Sequence, residues 1–519
     1  MNPRMVSVLG LIAALAIPAL ADVKLPAVLS DNMVLQQGKK IVIWGWADPG
    51  EKVAVTLGAA KADTAADDKG NWQVAFDPLT ASDKPIDLTV AGKDTIKVSN
   101  ILVGEVWVCS GQSNMAFTLS SVKDAQQEIA AADFPNIRLM QVPSVIGKEP
   151  RDNLAARWVE CSPKTVGRFS AVGYLFGRDL HKALKVPVGL INSSWGGSSI
   201  LSWIPKEAYE SDPELAKYQA WIQKDADAAP ALKEKYPADL ASWKATAQAI
   251  VASQPDAATK PSFPRPPVPP MNVSEKWGGM YNAMIAPLTK FNIAGAIWYQ
   301  GEANASQAAE YRLWLPGMIR AWRKAFAQDF PFLYVQLPNF MAYRNDPNSR
   351  SAWAELREAQ TLTLSVPKTG MAVVIDVGEA KDIHPKDKQT VGKRMALTGL
   401  AVAYGKKGIA FRGPVFDSMK ADGDKMVVKF RNAEGGLVSK GENGEVAGFA
   451  IAGADGIYDW AEAKIDGDSV VLTSKGVPKP VAVRYAWSDN PTAGLYDKSD
   501  LPAGPFRAGE EHFAPTTKP

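Results

Sequence analysis

The stretch Ile101-Leu-Val-Gly-Glu-Val-Trp-Val-Cys109-Ser110-Gly111-Gln112-Ser113-Asn114-Met115 decides the fold class, because a nearly unbroken apolar run ends in a turn of small residues that carries two serines. A strand buried on both faces reads this way, and such strands belong to parallel sheets covered by helices. Further strand candidates lie at 136–142, 186–192, 295–299, 332–337 and 370–377. Between them, 169–184, 308–327, 352–364 and 386–404 carry apolar residues at three-and-four spacing, the pattern of amphipathic helices. The alternation predicts an α/β fold with a parallel sheet over residues 101–405.

On either side the period shortens. Runs such as Ile41-Val42-Ile43-Trp44 and Val53-Ala54-Val55-Thr56-Leu57, separated by Asp48-Pro49-Gly50 and Asp68-Lys69-Gly70-Asn71, predict a small antiparallel β domain over 22–100. Met426-Val427-Val428-Lys429-Phe430 and Val481-Ala482-Val483-Arg484-Tyr485 predict a second over 406–519, including the tail. One insertion, at about 205–272, breaks the α/β rhythm: a stretch rich in Ala, Lys and Glu runs into Pro261-Ser-Phe-Pro-Arg-Pro-Pro-Val-Pro-Pro270. It reads as a helix followed by a stiff extended loop, either decorating the surface or forming one wall of a substrate cleft. No repeat of solenoid length is visible.

The composition excludes several function classes. With 46% hydrophobic residues in 519, the chain can bury a substantial core. Its 58 basic and 55 acidic residues leave a net charge of +3 with no basic block, which argues against nucleic acid as a partner. Residues 1–21 combine a positive start at Arg4, an apolar run over 6–17 and the small-residue site Ala19-Leu20-Ala21, so a cleaved signal peptide is expected, with an exported, periplasmic or secreted chain and no later membrane span. Export permits a disulfide between Cys109 and Cys161, although a buried free thiol at Cys109 is an equal expectation.

Histidine is scarce: His181, His384 and His512 are the only three, which argues against a histidine-based metal site. His181 falls near a helix end and His512 in the tail, so both read as surface residues. His384 follows a strand and precedes a helix, where α/β proteins keep working side chains, with Asp382 two residues earlier to orient its ring. A serine hydroxyl needs such a base within about 3 Å. Ser113, at the end of the opening strand, is the expected nucleophile and Ser110 its rival; the alternative for Ser113 is a helix N-cap. Gly196 and Gly197 after the 186–192 strand, and Gln300, Glu302 and Asn304 after 295–299, add polar groups on the same sheet edge.

Taken together, Gly111-Gln112-Ser113-Asn114-Met115, Trp195-Gly196-Gly197-Ser198, Trp298-Tyr-Gln-Gly-Glu302 and Asp382-Ile-His384-Pro385 resemble, in order, the blocks of sialate O-acetylesterase-like SGNH hydrolases. The resemblance implies a three-layer α/β/α domain and a carbohydrate O-acetylesterase that needs no metal or cofactor. It implies Ser113 as nucleophile, His384 as general base and acid, and Asp382 as its carboxylate. The oxyanion hole would use the Ser113 and Gly196 amides, with Gly197, Gln300 and Asn304 as further candidates. Gln112 and Glu302 are expected on the substrate, and Trp203, ahead of Trp195 and Trp298, to stack on a sugar. Such enzymes usually separate the Asp and His by two residues, here by one, so Asp376 stands in reserve. The substrate would be an acetylated oligosaccharide or a sialic acid. The alternatives are a noncatalytic carbohydrate-binding protein and an SGNH lipase or thioesterase acting on longer acyl chains.

Overall fold

A computed structural model describes residues 22–253, 263–267, 276–433, 435–441 and 445–510. The expected signal peptide, His512 and most of the Pro-rich loop lie outside these residues. The opening stretch becomes strand β1 (Thr95–Gly111), 17 residues long and buried from Ile101 onward. Its first half pairs antiparallel with Ser82–Ala91 of the N-terminal β region, and its second half pairs parallel with strands on both sides. The chain therefore enters the α/β region, expected to begin near residue 101, without a break in hydrogen bonding.

The other strands of the central sheet are β2 (Phe134–Gln141), β3 (Trp158–Cys161), β4 (Val188–Ser194), β5 (Gly295–Tyr299), β6 (Phe332–Val335) and β7 (Thr369–Ala372). Their order is β7-β6-β5-β1-β4-β2-β3, and every pair is parallel except β2 with β3. Alternate side chains of β1 face opposite layers, as strand geometry requires. Trp107 and Cys109 join a core with α2 (Ala171–Leu184) and α6 (Lys388–Val402), while Val106 and Val108 join one with α4 (Ala308–Ala325) and α5 (Ala352–Leu362). In the second layer the indole rings of Trp203, Trp298 and Trp322 meet edge to face at centroid distances near 6 Å, each contact adding about 1 kcal/mol to the burial itself.

Because the chain builds first toward β2 and β4 and then returns to β5, β6 and β7, the order reverses at β1. Ligands of open α/β sheets bind in the crevice beyond the strand ends at such a reversal.

The C-terminal β region holds two four-stranded antiparallel sheets around a core that includes Met426, Phe430, Phe449, Leu472 and Tyr485. It docks on the α/β layers through the buried Arg357 of α5, whose guanidinium donates to the carbonyls of Leu337, Pro338, Ser488 and Asp489. The insertion contains α3 (Gln219–Ser253), a helix of 35 residues with none buried and with Pro230 and Pro237 inside it. Among the described residues no helix is long and apolar enough to cross a membrane. Cys109 and Cys161 are free and buried, which corrects the disulfide option; burial pushes the Cys161 thiol up to about 12.

Candidate active site

Three strand ends and one loop converge beyond β1. At the end of β1 the backbone reaches φ +137° at Gly111, and a Cβ there would lie 2.1 Å from the Tyr299 carbonyl oxygen, so only glycine fits. The chain then turns into a single helical turn, α1 (Ser113–Ala116), which presents Ser113 at its first position. The Ser113 amide has no acceptor among the described residues. Ser110, the rival nucleophile, is buried within β1 with its hydroxyl enclosed and without a partner among the described residues, out of reach of any substrate.

His384 lies in the loop between β7 and α6. Its Nε2 is 2.8 Å from Ser113 Oγ, and the Phe117 ring stacks on the imidazole at 6.0 Å. Asp382 Oδ1 accepts from the His384 backbone N–H at 2.9 Å and lies 3.5 Å from Nδ1. Both side chains are partly open to solvent, 33% for His384 and 41% for Asp382. Asp376 is engaged elsewhere: Arg394 donates to both of its oxygens at 2.5 and 2.8 Å, and the Tyr496 hydroxyl adds a third bond. That pairing removes the reserve carboxylate from the histidine. His181 ends α2 with Nδ1 2.7 Å from the Val186 carbonyl oxygen.

Gly196 and Gly197 follow β4 and are exposed. A Cβ on Gly196 would lie 3.5 Å from the Ser113 Cβ, so this backbone runs alongside the serine. Neither glycine amide has an acceptor among the described residues. Gln300 and Asn304 stand behind that turn rather than in front of it. Gln300 Nε2 donates to Asn304 Oδ1 at 2.7 Å and to the Ser198 carbonyl at 3.2 Å, while Asn304 Nδ2 donates to Ser199 Oγ and Gln307 Oε1. Both amides are buried, and their donors are consumed in holding the glycine turn, which corrects the expectation that they face an oxyanion.

The expected substrate contacts also turn inward. Gln112 is buried and its Oε1 accepts from the Ala303 amide, tying the β1 turn to the β5 turn. Glu302 Oε1 accepts from Asn114 Nδ2 at 2.5 Å, Oε2 is enclosed without a partner, and burial holds this carboxyl above the usual carboxylate range. Trp203 is fully buried, with its indole N–H donated to Ser198 Oγ, so it cannot stack on a sugar. Trp298 is likewise buried, and of the three tryptophans considered only Trp195 is partly exposed.

One residue of this edge escaped the sequence reading. Lys388, in the first turn of α6, is completely buried and donates to Asn114 Oδ1 at 2.5 Å. A signal was present: Lys388 shares its helix face with Val391, Gly392 and Met395, all buried, and a lysine on an apolar stripe is seldom idle. Among the described residues no group of three or more His, Cys, Asp or Glu side chains gathers as a metal would require. A pocket of 740 Å³ at the foot of the insertion, lined in part by Glu207, Tyr281, Arg320 and Lys324, includes none of these strand-end residues.

Residues 271–400 match the family model described as carbohydrate esterase, sialic acid-specific acetylesterase. The chain is 29% identical to the sialate O-acetylesterase of Mus musculus, over 97% of this chain and 98% of that protein. It is 29% identical to the sialate O-acetylesterase of Homo sapiens, over 92% and 91%. Among solved structures, a carbohydrate acetylesterase from Xanthomonas citri is 36% identical, with a TM-score of 0.79 over 94% of this chain and 99% of that one.

Proposed function

The chain belongs to the family of sialate O-acetylesterases and related carbohydrate acetylesterases, and from that premise we propose that it removes acetyl groups from a sugar through an acyl-enzyme on Ser113. The observation that carries this reading is the 2.8 Å contact between Ser113 Oγ and His384 Nε2 at the reversal of strand order.

In this mechanism Ser113 Oγ attacks the acetyl carbonyl carbon as its proton passes to His384 Nε2. The carbonyl oxygen, now negative, receives the Ser113 and Gly196 amide N–H groups, each worth on the order of 3 kcal/mol. Collapse of the tetrahedral adduct breaks the ester bond, and the sugar hydroxyl leaves with the proton from His384. Water then attacks the acetyl-serine with His384 again as base, and acetate departs. Asp382 stabilises the imidazolium formed in each half. No step needs a metal or an organic cofactor. The leader-like residues 1–21 support an activity outside the cytoplasm, and the proposed substrate is an acetylated sialoside or plant hemicellulose oligosaccharide.

The test is acetate release from O-acetylated sialosides and from acetylated xyloglucan and xylan fragments, by wild type and by Ser113→Ala. Wild type should release acetate from at least one class, and the variant about a thousand-fold more slowly. Sugar binding without release by either protein would indicate a noncatalytic binder. Preference for an octanoyl over an acetyl nitrophenyl ester would indicate a lipase or thioesterase.

A further inference from the structure

Beneath Ser113 and His384 a single amide joins four segments of the chain. Asn114 follows the serine directly; its Nδ2 donates to the Ile383 carbonyl at 3.0 Å, one residue before the histidine, and to Glu302 Oε1 at 2.5 Å after β5. Its Oδ1 accepts from Lys388 Nζ at 2.5 Å on α6. Both donors and the acceptor of the carboxamide are therefore used, in an arrangement that a carboxylate or an alkyl group of the same size cannot reproduce.

The charges on either side of this amide are placed at a cost. An ammonium has three donors, and among the described residues buried Lys388 makes one hydrogen bond, to Asn114, while the rings of Phe117 at 4.9 Å and Tyr299 at 5.3 Å lie beside it. Burial pulls the Lys388 amine down to about 7, against the opposing pull of Glu302, Asp382, Glu379 and Asp387. Among the described residues one Glu302 oxygen and the neighbouring Tyr299 hydroxyl are enclosed without a partner. Such a site contributes little to stability compared with an apolar replacement. Phe117, under the Lys388 ammonium, is also the ring that stacks on the His384 imidazole.

We propose that Asn114, held between Lys388 and Glu302, is a positioning residue that fixes the approach of His384 to Ser113, and that the two flanking charges bias the imidazole in opposite directions. This rests on the reading of Ser113 and His384 as nucleophile and base. A buried cation near an imidazole disfavours its protonation, and a buried anion favours it.

The experiment compares full-length wild type, Asn114→Asp, Lys388→Met, Glu302→Gln and Ser113→Ala on p-nitrophenyl acetate, with kcat, KM and the pH profile of kcat/KM. Asn114→Asp should lower kcat about 100-fold with KM within about twofold of wild type, as for a displaced reacting group. The acidic limb should move to higher pH in Lys388→Met and to lower pH in Glu302→Gln, by roughly half a unit or more in each case. If Lys388→Met does not accumulate as folded protein, the opposite shift in Glu302→Gln decides alone. Unmoved limbs, or an Asn114→Asp variant with wild-type kcat, would overturn the proposal while a dead Ser113→Ala left the serine assignment standing. An inactive wild type would instead sink the esterase reading.

Discussion

The loop that follows β7 carries two aspartates whose surroundings differ in kind. Asp376 receives three hydrogen bonds, from Arg394 of α6 and from Tyr496 of the C-terminal β region, and Arg357, which bridges to that same region, is surrounded by four carbonyl oxygens. Asp382, at the open edge, holds His384 by one short backbone bond and a 3.5 Å approach to Nδ1, above a buried lysine with a single oxygen partner among the described residues. At the seam, the Asp376 carboxylate and the Arg357 guanidinium are both held by several hydrogen bonds. At the edge, Asp382 and His384 are partly solvated while Lys388 beneath them is buried, an arrangement that would suit groups responding to a charge that appears and disappears on an imidazole. The comparison separates stability from chemistry within about ten residues of one loop.

Substitutions should respect that boundary. The largest effect belongs to the edge: His384→Ala should lower kcat on an acetyl ester about ten-thousand-fold, with Tm within about 2 °C of wild type in a thermal melt. Next comes the seam, where Arg357→Met removes a donor from each of four carbonyls; denaturant titration should show a loss of about 3 to 5 kcal/mol, with specific activity of the folded fraction preserved. The aspartates themselves sharpen the contrast. Asp382→Asn should reduce kcat about 10- to 100-fold without a change in stability, whereas Asp376→Asn should cost about 2 kcal/mol and leave kcat alone. A swapped pattern would break the comparison.

The smallest effect is a dependence on pH. The folded-state value of about 7 for Lys388 lies below the ordinary value of 10.5, so between these limits the unfolded chain binds the extra proton. Stability from this residue therefore rises as pH climbs from about 7 toward 10 and is flat below 7. Urea titrations at pH 7, 8.5 and 10 should show a shallower rise in Lys388→Met than in wild type.

The sheet was legible because a strand buried on both faces must be apolar throughout, and 101–109 is nearly so. The meeting of Ser113 with His384 was legible because histidine is so scarce that strand-end placement left one candidate. What failed depended on the direction a side chain takes after its strand ends. Gln300, Asn304 and Trp203 sit beside a glycine turn, as expected, but point behind it, and no spacing in the sequence distinguishes front from back. Asp376 could not be separated from Asp382 because its partners, Arg394 and Tyr496, lie 18 and 120 residues away. Lys388 was hidden for a different reason: a lysine in the first turn of a helix ordinarily reaches solvent, and only the packing of α6 beneath α1 prevents it here.

The proposed mechanism requires Ser113, and not Ser110 three residues earlier, to be the nucleophile. Treating the full-length protein with a fluorophosphonate, which phosphonylates an activated serine hydroxyl, and mapping the adduct by peptide mass spectrometry tests it most directly. One adduct per chain on Ser113, abolished in His384→Ala, is the predicted result; an adduct on Ser110 or another serine, or labelling of Ser113 that persists without His384, would contradict it.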